Sequence, residues 1–526
     1  MRNVFGKNNA LMVGAGILCS RIFGLVRQRV FSHYLGLSDA ADVFSSALRI
    51  PNFLQNLFGE GVLSASFIPV YAALLGQGKR KEADALAGSI AGILGLTIAL
   101  IVAVGIVATP YILWLIAPGY QGDKRQLTIL VVRILFPGTG VLVWSAWCLG
   151  ILNSHGKFFL SYVAPVVWNI AIIATLILFR HESSNSLVVY LAWGTVVGCF
   201  LQFLIQVGPV LKLVPDMRIA LDLKSAHVRR VLGSFATVVV GRGVVQISAF
   251  VDQAISTFLG SGVMAAMTSA SSINMLPISL FGMAISASEL PALSRIAGSN
   301  PDETSTRQLS TRLNAGLEQI AFFIVPSSVA FFALGNVIVA ALYQTGAFTR
   351  ADSNYVWAIL AGSGVGLLAS TFGRLYASTY YALGDTKSPL RFALVRLLLT
   401  AVLGVASAFL LPGALGLAPR WGAVALTASA GVAGWIEFHL LRRTMNKRLG
   451  PTGVSVLGML KLWVAAGLAA AIAGVVEWAL ANAVGPIPTA VLALGTYGAG
   501  YFALTALMRV ELSGKIAMKT LGKLRR

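Results

Sequence analysis

Apolar residues run in long blocks through the whole chain, and polar residues collect in short breaks between them. Fourteen blocks stand out, at about 10–34, 39–75, 83–109, 127–151, 158–179, 187–211, 231–259, 263–294, 314–343, 353–383, 390–411, 421–441, 454–480 and 487–508. At about 1.5 Å per residue each predicts a helix able to cross about 30 Å of hydrocarbon. The longest polar breaks, near 212–230 and 295–313, are too short to fold as independent domains. The first block lacks a small-residue cleavage site behind a short apolar core, so it reads as a retained helix and not as a signal peptide. The pattern predicts an all-α polytopic membrane protein.

Composition agrees: 57% of the 526 residues are apolar and 11% charged, against about 25% charged in soluble domains. The net charge of +21 raises nucleic acid as a partner, but its distribution points elsewhere. With the N-terminus placed in the cytoplasm, 26 Lys and Arg fall in cytoplasmic segments and five in external ones. This is a positive-inside bias, and it assigns most of the positive charge to orientation and contact with anionic membrane lipids. It also predicts both termini in the cytoplasm. Cys19, Cys148 and Cys199 each fall within a block, at no ligand spacing, and read as packing residues. Neither a metal nor a cofactor is expected.

Nine basic residues remain within the blocks: Arg21, Arg27, Arg29, Arg49, Arg133, Arg242, Arg374, Arg396 and Lys461. They share the blocks with Asp42, Glu60, Asp252, Glu289, Glu318, Glu437 and Glu477. Arg29, Arg396, Lys461, Glu437 and Glu477 lie close enough to block ends to snorkel. Arg21 and Arg49 are deeper, about 15–18 Å from the outer ends of their helices. A charge at the bilayer centre costs about 2.5–3.5 kcal/mol even on the lenient insertion scale. That cost is met where the charges border a watery cavity, and a mainly cationic cavity suits an anionic cargo. Guanidinium groups present forked donors that grip two oxygens of a diphosphate at once. Asp42 and Glu60 would hold these arginines in place between cargo molecules, or respond to protons or ions.

The chain also repeats itself. LFGEGVLSASFIPVYA at 57–72 returns as LFGMAISASELPALSR at 280–295, and Pro277 resembles Pro51 as a helix interruption. Both copies begin at blocks running in the same direction, which predicts parallel repeats, a transporter design. The expected organisation is a six-helix bundle over 1–213, a second over 214–442, and two additional helices with a basic tail over 443–526. The second block is too long for one straight crossing, and Pro51 with the Gly59 and Gly61 pair offers places to bend.

At these residues the chain resembles the MurJ (MviN) family of lipid II flippases, within the superfamily of multidrug, oligosaccharidyl-lipid and polysaccharide exporters. The carriers are SRIFGLVRQ at 20–28, SDAADVF at 38–44, RIPNFLQNLFGEGVLSASFIPVY at 49–71 and VDQAISTFLGSG at 251–262. The resemblance implies movement of undecaprenyl-diphosphate-linked disaccharide pentapeptide across the bacterial inner membrane for peptidoglycan synthesis, beside the cell-wall synthesis machinery. It implies alternating access assisted by membrane potential, without ATP. Arg21 and Arg27 fall on the two arginines of the first-span motif, Asp42 on its acidic residue, Glu60 on the glutamate of FxEG, and Arg49 on the basic residue before Pro-Asn. Arg374 resembles a basic residue of the tenth span. Two positions depart from the family pattern: Gln55 and Ser272 stand where arginines are common. Asp252 falls where some members contribute to a sodium site, but the partner acids of the eleventh span are missing, so it is a candidate for ion coupling and no sodium site is assigned.

The departures keep a second reading open, export of another polyprenyl-diphosphate-linked oligosaccharide. Drug or cation antiport would favour acids in the central cavity, against the basic excess of the first two blocks. A membrane glycosyltransferase would need a metal-binding acidic pair or a base in a sizeable loop, so an enzyme is not expected.

Overall fold

The computed structural model describes residues 7–298, 303–480 and 483–513. Seventeen α-helices run through them, and the chain divides into two compact units. Unit 1 comprises residues 1–265 with 345–347, and unit 2 comprises 266–344 with 348–526.

Unit 1 contains α1 (Lys7–Leu35), α2 (Asp39–Phe58), α3 (Glu60–Gly76), α4 (Arg80–Ile116), α5 (Gly122–Ser154), α6 (Phe158–Leu178), α7 (Ser184–Leu213) and α8 (Ala226–Thr257). Unit 2 contains most of α9 (Val263–Pro277), a π-helical turn (Ile278–Met283), α10 (Ala284–Ala297), α11 (Glu303–Ala333), α12 (Gly335–Tyr343), α13 (Arg350–Ala382), α14 (Lys387–Ala414), α15 (Gly422–Leu449), α16 (Val456–Leu480) and α17 (Pro486–Leu507). Among the described residues, twelve helical segments are long and apolar enough to cross a membrane. With α1 and α8, which are 29 and 32 residues long, the expected fourteen are reached. The expected boundary near 214 is not where the compact units divide. α8 packs against α3 and α4 and so belongs to the first unit.

The second block is two helices. α2 ends at Phe58, Gly59 takes φ −91° and ψ −144°, and α3 restarts at Glu60. A Cβ on Gly59 would stand 2.2 Å from the Gln55 carbonyl oxygen, so this break requires glycine. The corresponding stretch of unit 2 is irregular too: the π-helical turn, ISLFGM, carries the second copy of the Leu-Phe-Gly motif. A π turn inside an α-helix inserts one residue and is common at functional positions.

Two apolar cores hold unit 1. One gathers Phe31, Phe44, Leu113, Leu135, Leu176 and Leu191 near the turns at 36–38, 117–121 and 179–183. The other gathers Phe67, Tyr71, Leu86, Trp147, Ile151 and Val210 near 77–79, 155–157 and 214–225. The second end carries Lys79, Arg80, Lys81, Lys157, Lys212, Arg218 and Lys224 and is called the basic end below. Between the cores α5 and α7 share a buried polar chain, Gln202 Nε2 donating to Ser145 Oγ at 2.9 Å, with Gln206 on the same hydroxyl. In unit 2, α13 and α15 meet backbone to backbone. A Cβ on Gly366 would lie 2.5 Å from the Gly431 Cα, the small-residue contact that lets membrane helices approach closely. α16 and α17 pack onto this unit, with the Tyr497 and Tyr501 hydroxyls each donating at 2.7 Å to the Pro326 and Phe322 carbonyls of α11.

Candidate functional site

α1 and α2 present the arginines of unit 1. Arg21 is exposed and makes no ion pair among the described residues. Arg27, six residues further along α1, is half-buried with its guanidinium carbon 5.0 Å from the centroid of the Trp168 ring on α6. A cation over an indole gains about 0.5–2 kcal/mol, rising as water is excluded. Trp168 is thus a partner of Arg27 that charge patterning does not reveal.

Arg49 lies on α2, where Nη1 donates to the Ala249 carbonyl of α8 at 3.4 Å, and Asp252, one turn along α8, is its acidic neighbour. Gln55 is half-buried six residues on, with its carbonyl accepting from the Gly59 amide at 2.7 Å. The amide side chain at this position can donate to an anion without adding charge. The side chains of Glu60 and Arg242 lie outside the described residues. Asp252 is half-buried, and the described residues contain no cluster of three His, Cys, Asp or Glu able to hold a metal.

Asp42 is placed differently from the expectation. Its side chain is fully buried, with Oδ2 accepting from Lys124 Nζ at 2.7 Å and from the Gly262 amide at 2.8 Å, while Oδ1 accepts from the Ala265 amide at 3.0 Å. Lys124 also reaches Asp39 at 2.6 Å and sits 4.5 Å from the Tyr120 ring centroid. Asp42 therefore ties α2 to α5 and to the turn entering α9, and its oxygens are not presented to the arginines. Lys124 falls in the break between the blocks at 83–109 and 127–151, one of the external segments of the positive-inside reading. Its partnership spans 82 residues of sequence, and no local spacing signals it.

Unit 2 carries Arg374, exposed on α13. Arg396 of α14 pairs with Glu437 of α15 at 3.1 Å, so two residues read as independent snorkelling charges are partners. Lys461 also has a fixed contact, donating to the Met508 carbonyl at 2.9 Å, and Glu477 accepts from Asn336 at 2.6 Å.

The fold and the arginine-bearing helices define a multi-pass membrane transporter of the two-unit exporter class. Residues 31–491 match the family model described as "Lipid II flippase MurJ". The chain belongs to the MurJ family. A relative from Rhizobium tropici, named "Probable lipid II flippase MurJ", is 30% identical over 448 residues, covering 83% of this chain and 80% of its own. The lipid II flippase MurJ of Burkholderia cenocepacia is 29% identical over 479 residues, 90% of each chain. Among solved structures, a lipid II flippase MurJ in an inward closed conformation superposes with a TM-score of 0.77 at 23% identity, over 95% of this chain and 99% of its own. An inward-facing transporter of the multidrug resistance MATE family gives 0.63 at 20% identity, over 81% and 95%. The fold is therefore that of the wider superfamily, and the family match separates this chain from the drug transporters.

Proposed function

We propose that this protein is a lipid II flippase, carrying undecaprenyl-diphosphate-linked disaccharide pentapeptide from the inner to the outer leaflet of the bacterial inner membrane by alternating access. The observation that carries the reading is the set Arg21, Arg27 and Arg49 on α1 and α2 of one unit, of which Arg27 is oriented by Trp168. Forked donors at membrane depth suit a lipid diphosphate and have no use in a scaffold. In this reading Gln55 supplies a neutral donor beside the arginines, Arg374 belongs to the path through unit 2, and Glu60, whose side chain lies outside the described residues, is grouped with them from its place in the family motif. Asp252 would tune Arg49 or couple an ion. Asp42 acts by holding α2, not by touching cargo. The basic end faces the cytoplasm with both termini, by the positive-inside bias. The protein acts as a transporter and not as an enzyme, alongside the machinery that consumes the flipped precursor.

The Gln55 and Ser272 positions favour, as the second reading, a polyprenyl diphosphate bearing a different oligosaccharide. Complementation separates the two. A bacterium depleted of its own lipid II flippase should regain growth, with lipid II accessible at the outer leaflet, when it expresses this chain. Continued lysis with lipid II trapped in the inner leaflet, despite full membrane insertion, would move the assignment to the second cargo.

A further inference from the structure

At the basic end of unit 1 the turn between α5 and α6 and the end of α7 line an open recess of about 580 Å³. Its walls are apolar, formed chiefly by Phe158, Phe159, Leu160 and Pro209, and two ammonium groups, Lys157 and Lys212, stand in its lining. Both lysines are exposed and neither takes an ion-pair partner among the described residues.

The backbone holds this shape. Gly156 turns the chain at φ +73°, its amide donating to Asn153 at 3.1 Å, while the Lys157 amide donates to Leu152 at 2.8 Å. The far wall is held by Arg80 Nη2, which donates to the Leu213 carbonyl at 3.2 Å. Next to the turn, His155 Nε2 lies 3.0 Å from the Tyr71 hydroxyl, and burial together with Arg80 pushes its imidazole below the usual histidine range. Lys157 and Lys212 are the charged side chains of the lining.

From this mouth an exposed apolar strip runs along α7 through Leu211, Leu204, Phe200 and Val197, which are 52%, 59%, 46% and 52% exposed. The fifteen residues from 197 to 211 rise about 21 Å, more than the roughly 15 Å of hydrocarbon in one leaflet of a bilayer of about 30 Å, so the strip is long enough to accompany acyl chains through that leaflet. A headgroup-sized recess with two cations outside any ion pair among the described residues, continued by an apolar helix face, is complementary to an anionic amphiphile. The volume suits a headgroup and not a second helix.

We propose that this recess is a binding site for an anionic glycerophospholipid of the leaflet at the basic end, its phosphate between Lys157 and Lys212 and its chains along α7. Such a site does not depend on the identity of the cargo.

The test uses the full-length protein in detergent, titrated with phosphatidylglycerol and read by native mass spectrometry. The variant Lys157→Gln/Lys212→Gln should weaken the tightest phosphatidylglycerol by about thirtyfold, from about one surface-charge increment per lysine. Arg443→Gln/Lys447→Gln, which removes the same charge from two exposed residues of α15, should change it less than about twofold. Phosphatidylethanolamine should bind the wild type more weakly than phosphatidylglycerol. Equal loss in both variants, or equal affinity for the two lipids, would overturn the site in favour of diffuse surface charge. Loss of undecaprenyl diphosphate with phosphatidylglycerol retained would overturn it in favour of cargo. Circular dichroism and monodispersity of each variant confirm that these surface changes leave the fold intact.

Discussion

Lys124 Nζ and Asp42 Oδ2 stand 2.7 Å apart, with the aspartate side chain fully buried and its remaining oxygen bound by a backbone amide. Removing one member of such a pair strands a buried charge, which costs about 3–5 kcal/mol, whereas replacing both with apolar groups is often close to neutral. Lys124→Met should therefore lower the thermal stability and yield of purified protein sharply. Asp42→Leu/Lys124→Met should recover a part of that loss, because the buried charge is gone but the Gly262 and Ala265 amides lose their acceptor, at about 1–3 kcal/mol each. Size-exclusion thermal scans of the variants check this, and equal stability of Lys124→Met and wild type would show that the pair contributes nothing.

That pair also marks how far sequence reading reaches. The helices were legible because each block must satisfy its own backbone in the membrane, so length and apolarity alone mark a span. The break at Gly59 was legible because a glycine pair stood in a block too long to be straight. Charge roles were harder. Arg21, Arg27 and Arg49 could be picked out by depth, but depth does not say which charges neutralise one another. Asp42 chose Lys124, and Arg396 chose Glu437, through helix packing that no local pattern encodes. Trp168 was invisible as a partner of Arg27 because an aromatic inside an apolar block looks like any packing residue.

Arg27→Ala should abolish complementation of the flippase-depleted strain while leaving insertion and expression unchanged. Arg27→Lys should restore only part of the activity, since an ammonium keeps the charge but loses the forked donors of the guanidinium held over Trp168. Trp168→Phe should fall between wild type and Arg27→Ala, as the weaker ring holds the guanidinium less firmly. Growth rates and membrane levels measured together decide the order, and full growth on Arg27→Ala would remove the arginine from the cargo path.

Gly59→Ala should impair transport by at least about tenfold, because its Cβ would overlap the Gln55 carbonyl that stands 2.2 Å away and force the α2–α3 break to reshape. Gly61→Ala is the control, since it lies within α3 after the break. A complementation assay in which both alanine variants match wild type would show that the break tolerates ordinary helical geometry.

The turn between α13 and α14 offers a pH signature outside the membrane. The Asp385 carboxylate accepts from the Ser388 amide at 2.9 Å and hydroxyl at 2.7 Å and pairs with Arg448 at 2.6 Å. The Ser388 hydrogen bonds, with Arg448 adding to them, bring its pKa from 3.8 down to about 2. A carboxyl depressed on folding contributes stability that is fully present above its unfolded value and lost as pH falls through the folded one. Wild type should thus exceed Asp385→Asn in melting temperature by a constant margin from pH 7 to about pH 4. The margin should narrow between 3.8 and about 2. Scans of both proteins at pH 7, 5 and 3 measure it, and a margin already shrinking between pH 7 and 5 would mean that the carboxylate titrates near the ordinary range and that Ser388 and Arg448 do not hold it charged.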